Sequence, residues 1–296
     1  MKNENMKIVR AKHMGFCFGV SGAIETCYNV LKSPENKGKR IFILGMLVHN
    51  KFVVDKLKDE GFLTIEEEEI LEHRDDLKED DIVIIRAHGT SEKVYEILKE
   101  KNVKIYDATC KFVTHIRNTL IEMENKGYEI LFIGDKEHPE VKGIISFGKS
   151  IKVFKDLEEI QKAEIDINKN YCLLTQTTLN KKILEKIKSF LENHYSNVKI
   201  SDKVCGATQV RQQAVEELAK EVDMLLVVGG KNSSNTKKLY DISKMINEKT
   251  YLVQDESEVQ DEWFQNCEKI GITAGASTPE EIVINIENKI RGIINV

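Results

Sequence analysis

Apolar residues in this chain fall into two patterns: short unbroken runs, and longer stretches in which they recur every three or four positions. The runs at residues 41–44, 82–85, 130–133, 172–174 and 224–228 are continuously apolar, as strands covered on both faces require. Between them the spacing is helical. Val20, Ile24, Cys27 and Leu31 form one predicted helix face; Val113, Ile116, Leu120 and Met123 form a second; Val210, Ala214, Leu218 and Val222 form a third. Buried strands separated by helices imply parallel sheets joined by right-handed crossovers, so the fold class is α/β.

The pattern also repeats. Cys110 lies 93 residues after Cys17, and Cys205 lies 95 residues after Cys110. Residues 103–110 and 198–205 both fit V-K-I-x-D-x-x-C, and Met6-Lys7-Ile8-Val9 leads more loosely to Gly15-Phe16-Cys17. Each copy continues through a second strand ending at glycine (Gly45, Gly134, Gly230), with His49, His138 and Ser234 four residues beyond. A third strand is followed by acidic residues, and a fourth ends in Arg86-Ala87-His88, Gln176-Thr177 or Gly275-Ala276-Ser277. The organisation expected is therefore three α/β units, at residues 6–105, 106–200 and 201–296, each with a mostly parallel four-stranded sheet. Parallel sheets collect ligands at the carboxyl ends of their strands, and here those ends carry the unusual polar residues. A pseudo-threefold packing with those ends inward would surround one central cavity.

Composition narrows the partners. With 44 Lys and Arg against 49 Asp and Glu, the net charge is -5, and no basic tract offers the footprint of a nucleic-acid binder. No apolar run approaches the roughly 20 residues that span a bilayer. The N-terminal stretch lacks the apolar core of a secretory signal, which points to the cytoplasm. Six cysteines without a C-x-x-C pair form neither a disulfide framework nor a zinc-finger pattern.

Cys27, Cys172 and Cys267 read as small buried hydrophobes. Cys17, Cys110 and Cys205 differ, because each ends the equivalent strand of its repeat. Three thiolates suit zinc or an iron–sulfur cluster. They are one short of the usual four for [4Fe–4S], which would leave one iron open to substrate. His13, His73, His115 and His194 carry no signal beyond ordinary surface or core positions. His49, His88 and His138 follow strand ends, and with Ser233, Ser234 and Asn235 they offer donors for an anion. Glu140, two residues from His138, becomes a general acid if buried, with the Thr177 hydroxyl as a relay. No G-x-G-x-x-G spacing supports a dinucleotide site. An iron–sulfur sensor and a zinc hydrolase with three cysteine ligands remain alternatives at this level.

Gly15-Phe16-Cys17-Phe18-Gly19-Val20, Val48-His49-Asn50, Arg86-Ala87-His88-Gly89, Asp107-Ala108-Thr109-Cys110, His138-Pro139-Glu140, Gln176-Thr177-Thr178, Lys231-Asn232-Ser233-Ser234-Asn235 and Gly275-Ala276-Ser277 together resemble the LytB family of 4-hydroxy-3-methylbut-2-enyl diphosphate reductases. The resemblance runs from about Met6 onward, and residues 1–5 look like a short extension without a role. It implies a trilobed α/β protein whose [4Fe–4S] cluster is held by Cys17, Cys110 and Cys205, becoming [3Fe–4S] once the unligated iron is lost to oxidation. It also implies reductive removal of an allylic hydroxyl, giving isopentenyl and dimethylallyl diphosphates, the last step of the non-mevalonate isoprenoid route. By the same resemblance Glu140 delivers protons, with Thr177 and His138 beside it. His49, His88, His138, Thr177, Ser233, Ser234, Asn235 and Ser277 bind substrate, and ferredoxin or flavodoxin donates electrons. The oligomeric state, monomer or homodimer, is left open.

Overall fold

A computed structural model describes residues 6–201 and 205–294. Residues 1–5 and Asp202, Lys203 and Val204 of the third V-K-I-x-D-x-x-C copy lie outside the described residues. The strands are β1 (Lys7–Arg10), β2 (Ile41–Leu44), β3 (Leu63–Ile65), β4 (Ile82–Ile85), β5 (Lys104–Asp107), β6 (Glu129–Ile133), β7 (Ile151–Phe154), β8 (Tyr171–Thr175), β9 (Val198–Ile200), β10 (Met224–Val228), β11 (Thr250–Val253) and β12 (Lys269–Ala274). The helices are α1 (Phe18–Lys32), α2 (Lys51–Asp59), α3 (Glu67–Leu71), α4 (Glu92–Glu100), α5 (Lys111–Asn125), α6 (Pro139–Ile145), α7 (Leu157–Lys162), α8 (Lys181–His194), α9 (Gly206–Ala219), α10 (Ser234–Ile246) and α11 (Glu280–Ile294). One α-helix follows every strand except β11, where two 3₁₀ turns, Glu256–Glu258 and Asp261–Phe264, stand instead.

The chain divides into two compact units. One comprises Met1–Val20, His49–Val54 and Gly206–Val296, and holds the parallel sheet β1-β12-β10-β11. The other comprises Ser21–Val48 and Asp55–Cys205, and holds two parallel sheets, β3-β2-β4-β5 and β7-β6-β8-β9. Counted from the edges at β3, β7 and β11, all three sheets have the same order. The cysteine-bearing strand of each repeat closes the sheet of the preceding one: Ile105 of β5 pairs with Val83, Lys199 of β9 with Cys172, and Ile8 of β1 with Ile270. The division expected at 105/106 thus falls inside β5, and that at 200/201 falls at the end of β9.

Helices cover both faces of the sheets. In β6, Ile130 and Phe132 pack with Val113, Ile116, Leu120 and Met123 of α5 and with Val141 and Ile144 of α6. Leu131 and Ile133, pointing the other way, pack with Leu184, Ile187 and Leu191 of α8. Each such side chain contributes about 1.5–3 kcal/mol when fully buried, which explains why these runs are apolar throughout. The α5 face is the one expected. The α1 face is Val20, Ala23, Cys27 and Val30, with Leu31 39% exposed, and α9 buries Arg211, Ala214, Val215 and Leu218 while Val210 is 39% exposed. Both deviations have one cause: Ala23 and Arg211 occupy inward positions that a search for large apolar residues passes over. Among the described residues no helix is long and apolar enough to cross a membrane.

Candidate active site

The carboxyl edge of each sheet is built in the same way. Gly45, Gly134 and Gly229, each one residue past a strand (β2, β6 and β10), donate their amides to Ile65, Phe154 and Val253 carbonyls at 2.7, 2.9 and 2.9 Å. The third member is Gly229, one residue earlier than the Gly230 expected, so Ser233 is the counterpart of His49 and His138. The cysteines obey a second rule. The amides of Cys110, Cys205 and Cys17 donate to the carbonyls of Ala87, Thr177 and Ala276 at 2.9, 3.4 and 3.1 Å. Each acceptor lies two residues past the end of β4, β8 or β12. Each cysteine also directly precedes a helix (α5, α9 or α1). Cys17 Sγ accepts from the Val20 amide at 3.5 Å.

None of the six cysteines is in a disulfide, and their surroundings separate them. Cys27, Cys172 and Cys267 are wholly buried. Burial pushes the Cys27 thiol up to about 12 and the Cys172 thiol up to about 11, and it raises Cys267. These are core thiols, as expected, Cys27 and Cys172 lying within apolar patterns of the sequence. Cys17 and Cys110 are half-buried, and Cys205 is 8% exposed. Cys17 belongs to one unit, Cys110 and Cys205 to the other. Within neither unit do the described residues gather three or more His, Cys, Asp or Glu side chains as a metal site.

In the unit holding Cys110 and Cys205, the segment His138-Pro139-Glu140 opens α6. Pro139 suits the first helical turn, where its missing N–H would have no partner. His138 caps the helix, its Nδ1 accepting from the Glu140 amide at 3.1 Å. The Glu140 side chain is 2% exposed. Its Oε1 accepts from the Thr177 amide and its Oε2 bonds the Thr177 hydroxyl, both at 2.7 Å. Burial raises the Glu140 pKa above the ordinary carboxylate range, and the two Thr177 bonds oppose that rise. Thr177 is thereby joined to the acid through its N–H and hydroxyl and to Cys205 through its carbonyl.

His88 lies edge-on to His138, with ring centroids 5.6 Å apart. Its loop is fastened by Arg86, a residue the sequence reading left without a role. Arg86 Nε donates to the Gly89 carbonyl at 3.1 Å and Nη2 to Glu67 Oε2 at 2.7 Å, while Ser91 Oγ donates to Glu67 Oε1 at 2.6 Å. Gly45, at φ +60°, leaves room for this guanidinium; a Cβ there would stand 2.7 Å from Arg86 Nη1. Gln176 does similar work, its Oε1 accepting from the Asp135 amide at 3.1 Å. An arginine ending an otherwise apolar strand was the available signal.

In the other unit, Ser233 caps α10 by accepting from the Thr236 amide at 3.3 Å, and Ser277 Oγ donates to the His49 carbonyl at 3.2 Å. Asn50 caps α2 through the Val53 amide at 3.3 Å. Asn235 is 6% exposed, yet among the described residues neither its Oδ1 nor its Nδ2 has a hydrogen-bond partner. A buried amide without such a partner at a helix start calls for an explanation. Ser234 beside it is half-buried. Gly275 lets the strand end pass close to α10: a Cβ there would lie 2.1 Å from Thr236 Oγ1.

Residues 8–291 match the family model of the LytB protein. The chain belongs to the LytB family. Among curated LytB relatives, the 4-hydroxy-3-methylbut-2-enyl diphosphate reductase of Fusobacterium nucleatum is 56% identical over 97% of this chain, although the chain spans only 34% of that longer protein. The reductase of Aquifex aeolicus is 37% identical over 97% of this chain and 96% of its own length. A solved structure of (E)-4-hydroxy-3-methyl-but-2-enyl diphosphate reductase, described as the terminal enzyme of the non-mevalonate pathway, superposes with a TM-score of 0.68 at 35% identity, covering 96% of this chain and 99% of that one. The Plasmodium falciparum E-1-hydroxy-2-methyl-but-2-enyl-4-diphosphate reductase structure gives 0.88 at 31% identity, covering 96% and 87%. The LytB model thus spans all three repeats.

Proposed function

We propose that this chain removes the allylic hydroxyl of 4-hydroxy-3-methylbut-2-enyl diphosphate by two-electron reduction, giving isopentenyl and dimethylallyl diphosphates. Two electrons and two protons enter. The C–O bond breaks, its oxygen leaves as water with one proton, and the other proton forms a C–H bond on the allylic fragment.

The observation that carries this reading is Glu140. A carboxyl shielded from solvent, bonded at both oxygens to Thr177 and so tied to the Cys205 amide, is a proton store beside a thiol ligand. Cys17, Cys110 and Cys205 would hold an iron–sulfur cluster, [4Fe–4S] or [3Fe–4S]. The donor set fits that group: three cysteines outside any disulfide, at helix starts, bonded alike through their amides, unlike the three core thiols. When bound, such a cluster supplies electrons singly and Lewis acidity toward the alcohol oxygen.

The protein's own residues do the rest. Glu140 holds the proton at its carboxyl, and the Thr177 hydroxyl, 2.7 Å from Oε2, orients the substrate hydroxyl and passes the proton on. His138, fixed by the bond its Nδ1 accepts from the Glu140 amide, offers its ring to the diphosphate. His49, His88, Ser233, Ser234, Asn235 and Ser277 complete the grip on that anion. Asn235 serves among the neutral donors, its amide having no hydrogen-bond partner among the described residues. Fixing the diphosphate fixes the hydroxymethyl end, which turns binding into orientation. Ferredoxin or flavodoxin brings the electrons, and the chain works in the cytoplasm as a monomer or homodimer.

Anaerobically reconstituted protein given reduced methyl viologen and the diphosphate alcohol is expected to oxidise two viologens per alcohol consumed and to release both isomeric products. Iron-loaded protein that oxidises no viologen with this alcohol would sink the proposal.

A further inference from the structure

Arg211, in the second turn of α9, is only 6% exposed, and a buried guanidinium is costly unless its donors are used. Its Nη2 donates to the Gly15 carbonyl at 2.7 Å and to the Phe16 carbonyl at 3.0 Å. Nε adds a second bond to the Gly15 carbonyl at 3.2 Å, and Nη1 donates to the Ala207 carbonyl at 2.8 Å. Three of these four bonds converge on the two peptides immediately before Cys17. The opposite edge of the same loop is fastened by its amides: Gly15 N–H donates to Ala274 at 3.2 Å and Cys17 N–H to Ala276 at 3.1 Å. Gly15 itself sits at φ +71°, so the loop is a sharp turn that regular pairing does not hold. Its amides face the β12 extension and its carbonyls face the Arg211 fork.

We infer that Arg211 is the positioning residue for Cys17, setting the direction of its sulfur by locking the two preceding carbonyls. This rests on the reading above that Cys17 ligates the cluster. A planar fork can span successive carbonyls, whereas an ammonium is a compact point donor. Groups that orient a metal ligand without touching the metal change affinity by about 10- to 100-fold when replaced.

The test uses anaerobically reconstituted wild type, Arg211→Lys, Arg211→Met and Cys17→Ser. The readouts are bound iron and sulfide, the electron paramagnetic resonance spectrum of the reduced protein, the rate of iron loss to a ferrous chelator, and the melting temperature of the metal-free chain. Both Arg211 variants are expected to lose iron about 10- to 100-fold faster than wild type, with an altered spectrum. Wild-type spectrum and iron retention in either variant would overturn the inference, even if its melting temperature fell. Arg211→Lys keeps charge and bulk, so it decides the matter if Arg211→Met does not fold. Cys17→Ser separates the two levels: if it keeps wild-type iron and spectrum, the ligand reading itself fails, whereas if it alone loses them, only the Arg211 inference fails.

Discussion

Glu140→Gln separates proton donation from every other use of this carboxyl. Glutamine has nearly the same shape, its carbonyl can accept from the Thr177 amide, and its NH₂ can donate to the Thr177 hydroxyl. Both 2.7 Å contacts therefore survive, and stability changes by no more than about 1 kcal/mol, the net worth of one hydrogen bond. The transferable proton is lost. General acid catalysis contributes about 100- to 10,000-fold, so kcat should fall by that factor, roughly 3–5 kcal/mol of barrier, with KM nearly unchanged. A pH signature accompanies it. The folded-state pKa of Glu140 is raised by burial, so its contribution to stability is fully present below the ordinary carboxylate value and is lost as pH rises through the folded value. Glutamine does not ionise, and the melting temperature of the variant relative to wild type should climb with pH across that window. Single-turnover rates with reduced viologen and melting curves at several pH values check both halves. Full activity in Glu140→Gln would refute the proton-donor role, and a pH-independent melting difference would refute the buried, proton-holding carboxyl.

Three further outcomes follow from the geometry. His138→Ala should lose about 1 kcal/mol with its helix cap, and His138→Asn should recover the melting temperature but not the KM for the diphosphate; recovery of both would mean the ring does nothing beyond capping. Alkylation of metal-free native protein near pH 8, mapped by peptide mass, should reach Cys17 and Cys110 long before Cys27 and Cys172, whose thiols burial pushes up to about 12 and about 11; equal labelling would contradict that division. Gly275→Ala should cost about 1–3 kcal/mol through the clash with Thr236 Oγ1, and adding Thr236→Ala should restore part of the loss; strictly additive denaturation midpoints would show that the two do not meet.

Much of this architecture was legible because strands buried on both faces must be continuously apolar, as at residues 82–85 and 224–228. The acidic residues after the third strands were also readable: Asp156 caps α7 through the Glu159 amide, and Glu66 and Glu69 form a capping box at α3. Strand pairing was less so. That β1 pairs with β12 depends on contacts between the two ends of the chain, and local periodicity carries no trace of them. At the site, Cys17, Cys110 and Cys205 stood out through their spacing, and Glu140 through its proximity to His138. Arg86, Arg211 and Gln176 did not, because their work is to bond backbone of other segments, and any polar residue facing inward could have been assigned it. The one-residue offset at Gly229 was hidden because two adjacent glycines fit the pattern equally well.

The claim on which the rest depends is that three cysteines from three repeats share one iron–sulfur group. Iron, zinc and acid-labile sulfide per chain should be measured in anaerobically reconstituted wild type and in Cys17→Ser, Cys110→Ser and Cys205→Ser. Equal iron and sulfide in wild type, with both lost in every variant, is the predicted result. Zinc without sulfide in wild type, or unchanged iron in any one variant, would contradict it.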